Sequence, residues 1–172
     1  MPDHLREVVS GLEQKGARIV CGGVPVAGSS FQFANTLLTV SGSKFLQSPR
    51  DLQTEAFGPV SLFVQSRDLS QTVEILKQVE GNLTGTIYLS EGDESEYAQI
   101  EPVLRRRVGR LLNNRMPTGV AVSPGMNHGG PFPATGHPLF TAVGFPASIE
   151  RFTALHCYEH VDEGRLPAWL QR

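Results

Sequence analysis

Cysteine is scarce in this chain: two in 172 residues, Cys21 and Cys157, with no CxxC spacing. That excludes a disulfide framework and points to a reducing compartment. No stretch reaches the apolar length of a membrane span. The start, Met1-Pro2-Asp3-His4, lacks the basic residues and apolar run of a signal peptide, so the expected location is cytoplasmic. Charge of one sign is also lacking. A net charge of -2 argues against an electrostatic nucleic-acid or anionic-membrane partner. Arg105-Arg106-Arg107 is short and is expected to be a solvated helix face. There is no GxGxxG, no internal repeat and no pair of metal ligands at a recognisable spacing, so no metal site is expected.

What is present is enough for a folded domain. Hydrophobic residues make up 40% and charged residues 19%, which reads as one soluble, globular domain. Leu5, Val8, Val9 and Leu12 recur at helical spacing, predicting a helix over residues 3–14 with Asp3 as N-cap and Gly16 as its end. Residues 17–21 read as a strand stopped by Gly22-Gly23, residues 24–30 as a loop, and residues 31–40 as extended, with a helical turn over 43–48. Strand 60–65 follows. Asp68 or Ser70 then caps a helix with Val73, Leu76 and Val79 inward, closed by Gly81. Strand 85–89, a helix opened by Asp93 with Tyr97, Ile100 and Leu104 on one side and a kink at Pro102, and strand 109–113 complete the alternation. Strands alternating with helices imply an α/β fold: a mostly parallel sheet with crossover helices. Beyond it, residues 147–151 read as a short helix, 152–161 as a closing strand and 163–172 as a polar tail.

Two stretches stand out chemically. The first is Leu52-Gln53-Thr54-Glu55-Ala56-Phe57-Gly58-Pro59-Val60, which joins a polar, helical segment to an apolar strand. Gly58-Pro59 breaks the chain, because Gly permits unusual dihedrals and Pro fixes φ and removes a donor. Glu55 and Phe57 are therefore expected at a strand mouth, where open α/β sheets bind ligands. A carboxylate accepts from two neighbouring hydroxyls, and an aromatic ring lies against a flat heterocycle. On these residues alone, local pairing for Glu55 and a core role for Phe57 is the simpler reading. The second stretch, Asn127-His128-Gly129-Gly130-Pro131-Phe132-Pro133-Ala134-Thr135, lies in a Gly- and Pro-rich region from 114 to 144 with little periodicity. A long ordered loop inside a compact domain is usually functional. Gly129-Gly130 lets backbone approach a ligand, and His128 is an acid, base or ligand candidate, or a hydrogen-bonding loop residue.

The order of residues shifts that balance. Glu55-Ala56-Phe57-Gly58-Pro59-Val60 resembles the Glu-x-Phe-Gly-Pro motif of the aldehyde dehydrogenase superfamily. Gly109-Arg110-Leu111-Leu112-Asn113-Asn114 through Thr135, with Ile149-Glu150-Arg151-Phe152, closely resembles the C-terminal part of 2,5-dioxovalerate (α-ketoglutarate semialdehyde) dehydrogenases. Most of the superfamily carries Phe-Gly-Gly-x-Lys-x-Ser-Gly where His128-Gly129-Gly130-Pro131-Phe132-Pro133 stands here. The resemblance implies a cofactor, NADP or NAD, whose nicotinamide ribose is held by Glu55 and whose nicotinamide packs beside Phe57. It implies that the loop over 123–136, with His128, Gly129 and Phe132, shapes the substrate mouth. It also implies that residues 1–151 are a partial catalytic domain, and that 152–172 are an oligomerisation strand and tail pairing with a neighbouring subunit.

The departures are as informative. The superfamily's mechanism needs a cysteine thiolate nucleophile, an oxyanion site and a Glu general base, all placed before the Glu-x-Phe-Gly-Pro motif. Cys21 follows the nucleophile segment and reads as a small core residue, and Cys157 lies in the closing strand. No catalytic residue is therefore assigned in this chain. It looks like the C-terminal piece of an aldehyde dehydrogenase that oxidises a small acidic semialdehyde through a thioester, expected inactive alone. Its expected partners are the aldehyde, a second copy, or the missing N-terminal part. The competing reading is a non-catalytic α/β interaction or remnant domain that self-associates.

Overall fold

The computed structural model describes residues 2–28, 32–117, 119, 123–141, 143–144 and 147–172. Phe31, expected to open an extended run, and the loop positions Ser29 and Ser30 lie outside them. Helix α1 (Pro2–Gln14) turns Leu5, Val9 and Leu12 inward, the stripe read from periodicity. It begins at Pro2, so Asp3 is a first-turn residue rather than the N-cap, and pairs with Arg6 at 3.9 Å. Proline fits a first helical position because its missing donor is an orphan there anyway. Gly16, at φ +99°, ends the helix.

Strands β1 (Arg18–Cys21), β2 (Thr36–Ser41) and β3 (Val60–Gln65) form one sheet in that order. β1 runs antiparallel to β2, and β2 parallel to β3 with Thr36 opposite Val60 and Ser41 opposite Gln65. Between them lies α2 (Gly42–Gln47), capped by Ser41, whose hydroxyl accepts from the Lys44 amide. Leu38, Val40, Phe45, Leu52 and Ile75 join the α1 stripe in the core. Cys21 is not part of it. The register shifts between Ile19 and Cys21, and the cysteine is exposed at the end of an edge strand.

Helix α3 (Leu69–Gln78) starts at Asp68, whose side chain accepts from the Gln71 amide. Its buried residues are Gln71 and Ile75. Val73, Leu76 and Val79 are only half-buried. Gln71 tolerates burial because its side chain is satisfied on both sides: it accepts from the Arg67 amide and donates to Ser43 Oγ. The helix ends at Gln78, before Gly81, which serves another purpose described below. Strand β4 (Asn82–Ile87) starts three residues before the expected Gly85 and pairs in parallel with β5 (Val108–Asn113). The helix between them, α4 (Glu94–Leu104), runs through Pro102 and half-buries Tyr97, Ile100 and Leu104. The arginine triplet follows the helix instead of lying on it, and Arg107 donates to the Lys77 carbonyl.

The mostly parallel α/β architecture is therefore present, split into a three-stranded and a two-stranded sheet. β3 and β4, joined by α3, do not pair with one another. The expected closing strand at 152–161 is not formed. Phe152 ends a 3-10 turn, and the residues after it, Leu155 fully exposed among them, pair with no strand among the described residues. A strand needs a second strand to satisfy its backbone groups, and among the described residues none lies alongside. The tail adds two short 3-10 turns and leaves Trp169 exposed.

Candidate functional site

The Glu55 segment is reached through a 3-10 turn, Asp51–Gln53, pinned at several points. Lys15, just past α1, pairs with Asp51 at 2.8 Å. Leu52 is buried, and the Thr54 hydroxyl donates back to the Asp51 carbonyl. Gln53 reaches furthest. Its Nε2 donates to the Pro49 carbonyl at 2.8 Å and the Gln78 carbonyl at 3.0 Å, and its Oε1 accepts from the Glu80 amide at 2.8 Å. Beyond it the chain turns tightly: the Val60 amide donates to the Gly58 carbonyl at 2.8 Å and β3 begins. Gly58 does not adopt a left-handed conformation. A Cβ there would meet the Leu5 side chain of α1, which would have to shift to admit it.

Glu55 is exposed, and its carboxylate meets no cation or hydrogen-bond donor among the described residues. Phe57 is 66% exposed, so it is not a core residue. Both precede β3, at the amino ends of the parallel strands. The general preference for ligands at carboxyl ends therefore lends this site no support.

The second motif is a braced loop. The His128 amide donates to the Thr141 carbonyl, and the Val143 amide to the Met126 carbonyl, at 3.1 Å each. The Thr141 hydroxyl donates to Asn127 Oδ1, and the Thr135 hydroxyl to the Gly130 carbonyl. Gly129 and Gly130 are buried with ordinary dihedrals, whereas His128 and Phe132 are exposed. What the loop approaches closely is protein backbone. Gly130 lies on the Asn82 carbonyl, Gly109 on the Gly129 carbonyl, and Gly81 on the carbonyls of Pro131 and Phe132. The loop is thereby seated over the first residues of β4 and β5.

These two blocks border one cleft of about 1130 Å³ between the sheets. Its lining includes Gln53, Glu55 and Ala56 with Leu62 and Val64 of β3, and Glu80, Gly81 and Asn82 with Pro133 and Ala134 of the loop. The structure thus brings Glu55 together with the end of the second motif, while Phe57, His128, Gly129 and Phe132 lie outside the lining. Sequence reasoning missed Gln53, Gly81 and Gly109. The partners of Gln53 at the end of α3 stand 25 and 27 residues away, and nothing local announces them. An open carboxylate can accept from a vicinal diol, and an open aromatic ring offers a face to a flat heterocycle. Among the described residues no group of three His, Cys, Asp or Glu is placed to hold a metal, and no helix is long and apolar enough to cross a membrane.

Comparison with known proteins gives the family and the fold. Residues 2–137 match the aldehyde dehydrogenase family. The chain is 42% identical over 159 residues to alpha-ketoglutaric semialdehyde dehydrogenase 2 of Azospirillum brasilense, covering 92% of this chain and 30% of that protein. It is 40% identical over 131 residues to alpha-ketoglutaric semialdehyde dehydrogenase of Acinetobacter baylyi, covering 76% of this chain and 25% of that protein. The chain therefore spans less than a third of the length of these curated relatives. Among solved structures, lactaldehyde dehydrogenase from Escherichia coli superposes with a TM-score of 0.57 at 24% identity, over 74% of this chain and 24% of that one. Betaine aldehyde dehydrogenase from Staphylococcus aureus, in complex with NAD+, also gives 0.57, at 19% identity over 75% of this chain and 24% of that one. These two share the fold. Taken with the matched residues and the identity to the curated relatives, they lead to one conclusion: the chain belongs to the aldehyde dehydrogenase family.

Proposed function

We propose that this chain supplies the C-terminal part of an NAD(P)-dependent aldehyde dehydrogenase. Its substrate is a small acidic semialdehyde of the 2,5-dioxovalerate type, oxidised to the carboxylate through a cysteine thioester. The nucleophile belongs to a part of the enzyme outside these residues. In this reading Glu55 accepts hydrogen bonds from the nicotinamide ribose hydroxyls, and Phe57 packs beside the nicotinamide. The loop carrying His128, Gly129 and Phe132 shapes the substrate mouth, its backbone stiffened by the Asn127–Thr141 and Gly130–Thr135 hydrogen bonds. When bound, the cofactor accepts the hydride; this chain's residues bind, orient and exclude water. Residues 1–151 act as part of the catalytic domain, and 152–172 as an arm for another copy or for the rest of the enzyme.

The observation that carries the reading is the shared cleft, lined both by Glu55, whose carboxylate has no partner among the described residues, and by Pro133-Ala134. Support for the substrate class comes from the relatives named for alpha-ketoglutaric semialdehyde. The test is assembly of the chain with a nucleophile-bearing part of the enzyme, followed by assay with 2,5-dioxovalerate and with neutral aldehydes of similar length. Turnover of neutral aldehydes alone would remove the substrate assignment. No turnover by a folded assembly would remove the catalytic one.

A further inference from the structure

We propose that Gln53 is a positioning residue that sets the spacing across the cleft and couples the Glu55 segment to the loop over 131–134. Its functional consequence, that cofactor side and substrate side are held in one register, rests on the reading above.

Gln53 stands two residues before Glu55, and its amide uses donor and acceptor together. One bond goes back to Pro49 within its own segment, and two cross to Gln78 and Glu80 at the end of α3. Residues 78–80 lead directly into Gly81, on which the carbonyls of Pro131 and Phe132 rest. The next residue, Asn82, carries Gly130 on its carbonyl. A displacement of 78–80 therefore reaches the loop through backbone-to-backbone contact with no flexible side chain between. Between residues 50–55 and 78–80 there is no other side-chain hydrogen bond among the described residues. The nearby Arg50–Glu80 pair is 3.9 Å long, with the arginine 93% exposed, and such surface pairs contribute little. A leucine at the half-buried position 53 would occupy much of the same space but make none of the three bonds. A glutamate would keep the acceptor for the Glu80 amide and lose both donors.

The test is amide hydrogen exchange and the amide resonances of Gly81, Gly129 and Gly130 in the full 172-residue chain, comparing Gln53→Leu and Gln53→Glu with the parent. Exchange reads local opening segment by segment. In Gln53→Leu, exchange at Val60, His128 and Ala134 should rise about threefold or more, the scale of one lost net hydrogen bond. Amides of Val9 and Val40 in the core should not change. Gln53→Glu should retain protection at Glu80 but lose it in the loop, because its carboxylate has no donor for the Pro49 and Gln78 carbonyls. Unchanged loop amides and glycine resonances in both variants would overturn the coupling, and so would a uniform rise over the whole chain, which signals general stability only. If Gln53→Leu does not fold, Gln53→Glu decides by the same criteria. No cofactor enters these measurements. A failure of Glu55 to affect NAD(P) binding would therefore remove the functional reading and leave the coupling standing.

Discussion

Gly81 lies with its Cα against the carbonyl oxygen of Pro131, leaving no room for a Cβ. The contact joins the loop of the second motif to the entrance of β4. It explains a glycine that sequence reading assigns to helix termination. The neighbouring Gly109 meets the Gly129 carbonyl in the same way, so the loop is seated on both strands of the smaller sheet.

Gly81→Ala should unseat that loop. The atoms in the way are backbone, which cannot rotate aside, and overpacking of this kind costs typically about 1–3 kcal/mol. Gly164→Ala is the matched control, because a Cβ there meets nothing within 4 Å and its φ is ordinary. Denaturant melts should show a lower midpoint for Gly81→Ala and little change for Gly164→Ala. Equal midpoints would mean that the loop yields at no cost.

Glu55→Gln, made in the assembled enzyme, should weaken NAD(P) binding or the hydride-transfer step more than aldehyde binding. Glutamine keeps the size but replaces one acceptor oxygen by a donor, so a two-point contact with a diol becomes single. A lost charge-assisted bond is worth roughly 1.5–3 kcal/mol, about ten- to a hundredfold in affinity. A change confined to the aldehyde KM would show that the residue has been misassigned.

Asp68 gives a pH dependence. The Arg67 guanidinium, at 2.8 Å, and the Gln71 amide hold its carboxyl below the usual carboxylate value. A carboxyl whose folded pKa lies below its unfolded one contributes stability in full above the unfolded value. It loses that contribution as pH falls through the folded one. Asp68→Asn keeps a capping oxygen but no charge. Thermal melts of parent and variant should therefore differ near neutrality and converge in acid, below the ordinary carboxylate pKa. A difference unchanged down to strong acid would show that the charge has no part in capping α3.

The purified chain alone should not oxidise aldehydes with NAD or NADP, because the assigned mechanism places the nucleophile elsewhere. Turnover by the purified chain would contradict this, and its loss in Cys21→Ser or Cys157→Ser would place the nucleophile within these residues.

The chain should also self-associate. Phe152, Leu155 and Trp169 are 82%, 104% and 78% exposed, and bare apolar surface drives association. Light scattering over a concentration series should show dimers or larger species that disappear when residues 152–172 are removed. A monomer at high concentration would instead favour the self-contained module.

Local features of this protein were legible in the sequence because their causes lie within a few residues. The α1 stripe of Leu5, Val9 and Leu12 follows from helical period, and the Asp68 cap from a side chain reaching an amide three residues on. Strand β3 was delimited by the Gly58-Pro59 break. The order Glu55-Ala56-Phe57-Gly58-Pro59 was enough to indicate the family. Tertiary structure alone decided the rest. Ile75, not Val73 or Leu76, became the core residue of α3, because which side of the helical stripe is covered depends on what packs there. Residues 152–161 formed no strand, because strand formation depends on a partner outside the segment. Gln53 became the tie across the cleft only once folding brought Gln78 and Glu80 to its side chain. The meeting of Glu55 with Ala134 in one cleft has the same origin. Short-range rules act through the covalent chain and can be read along it, whereas contacts across the cleft depend on how whole sheets settle against each other.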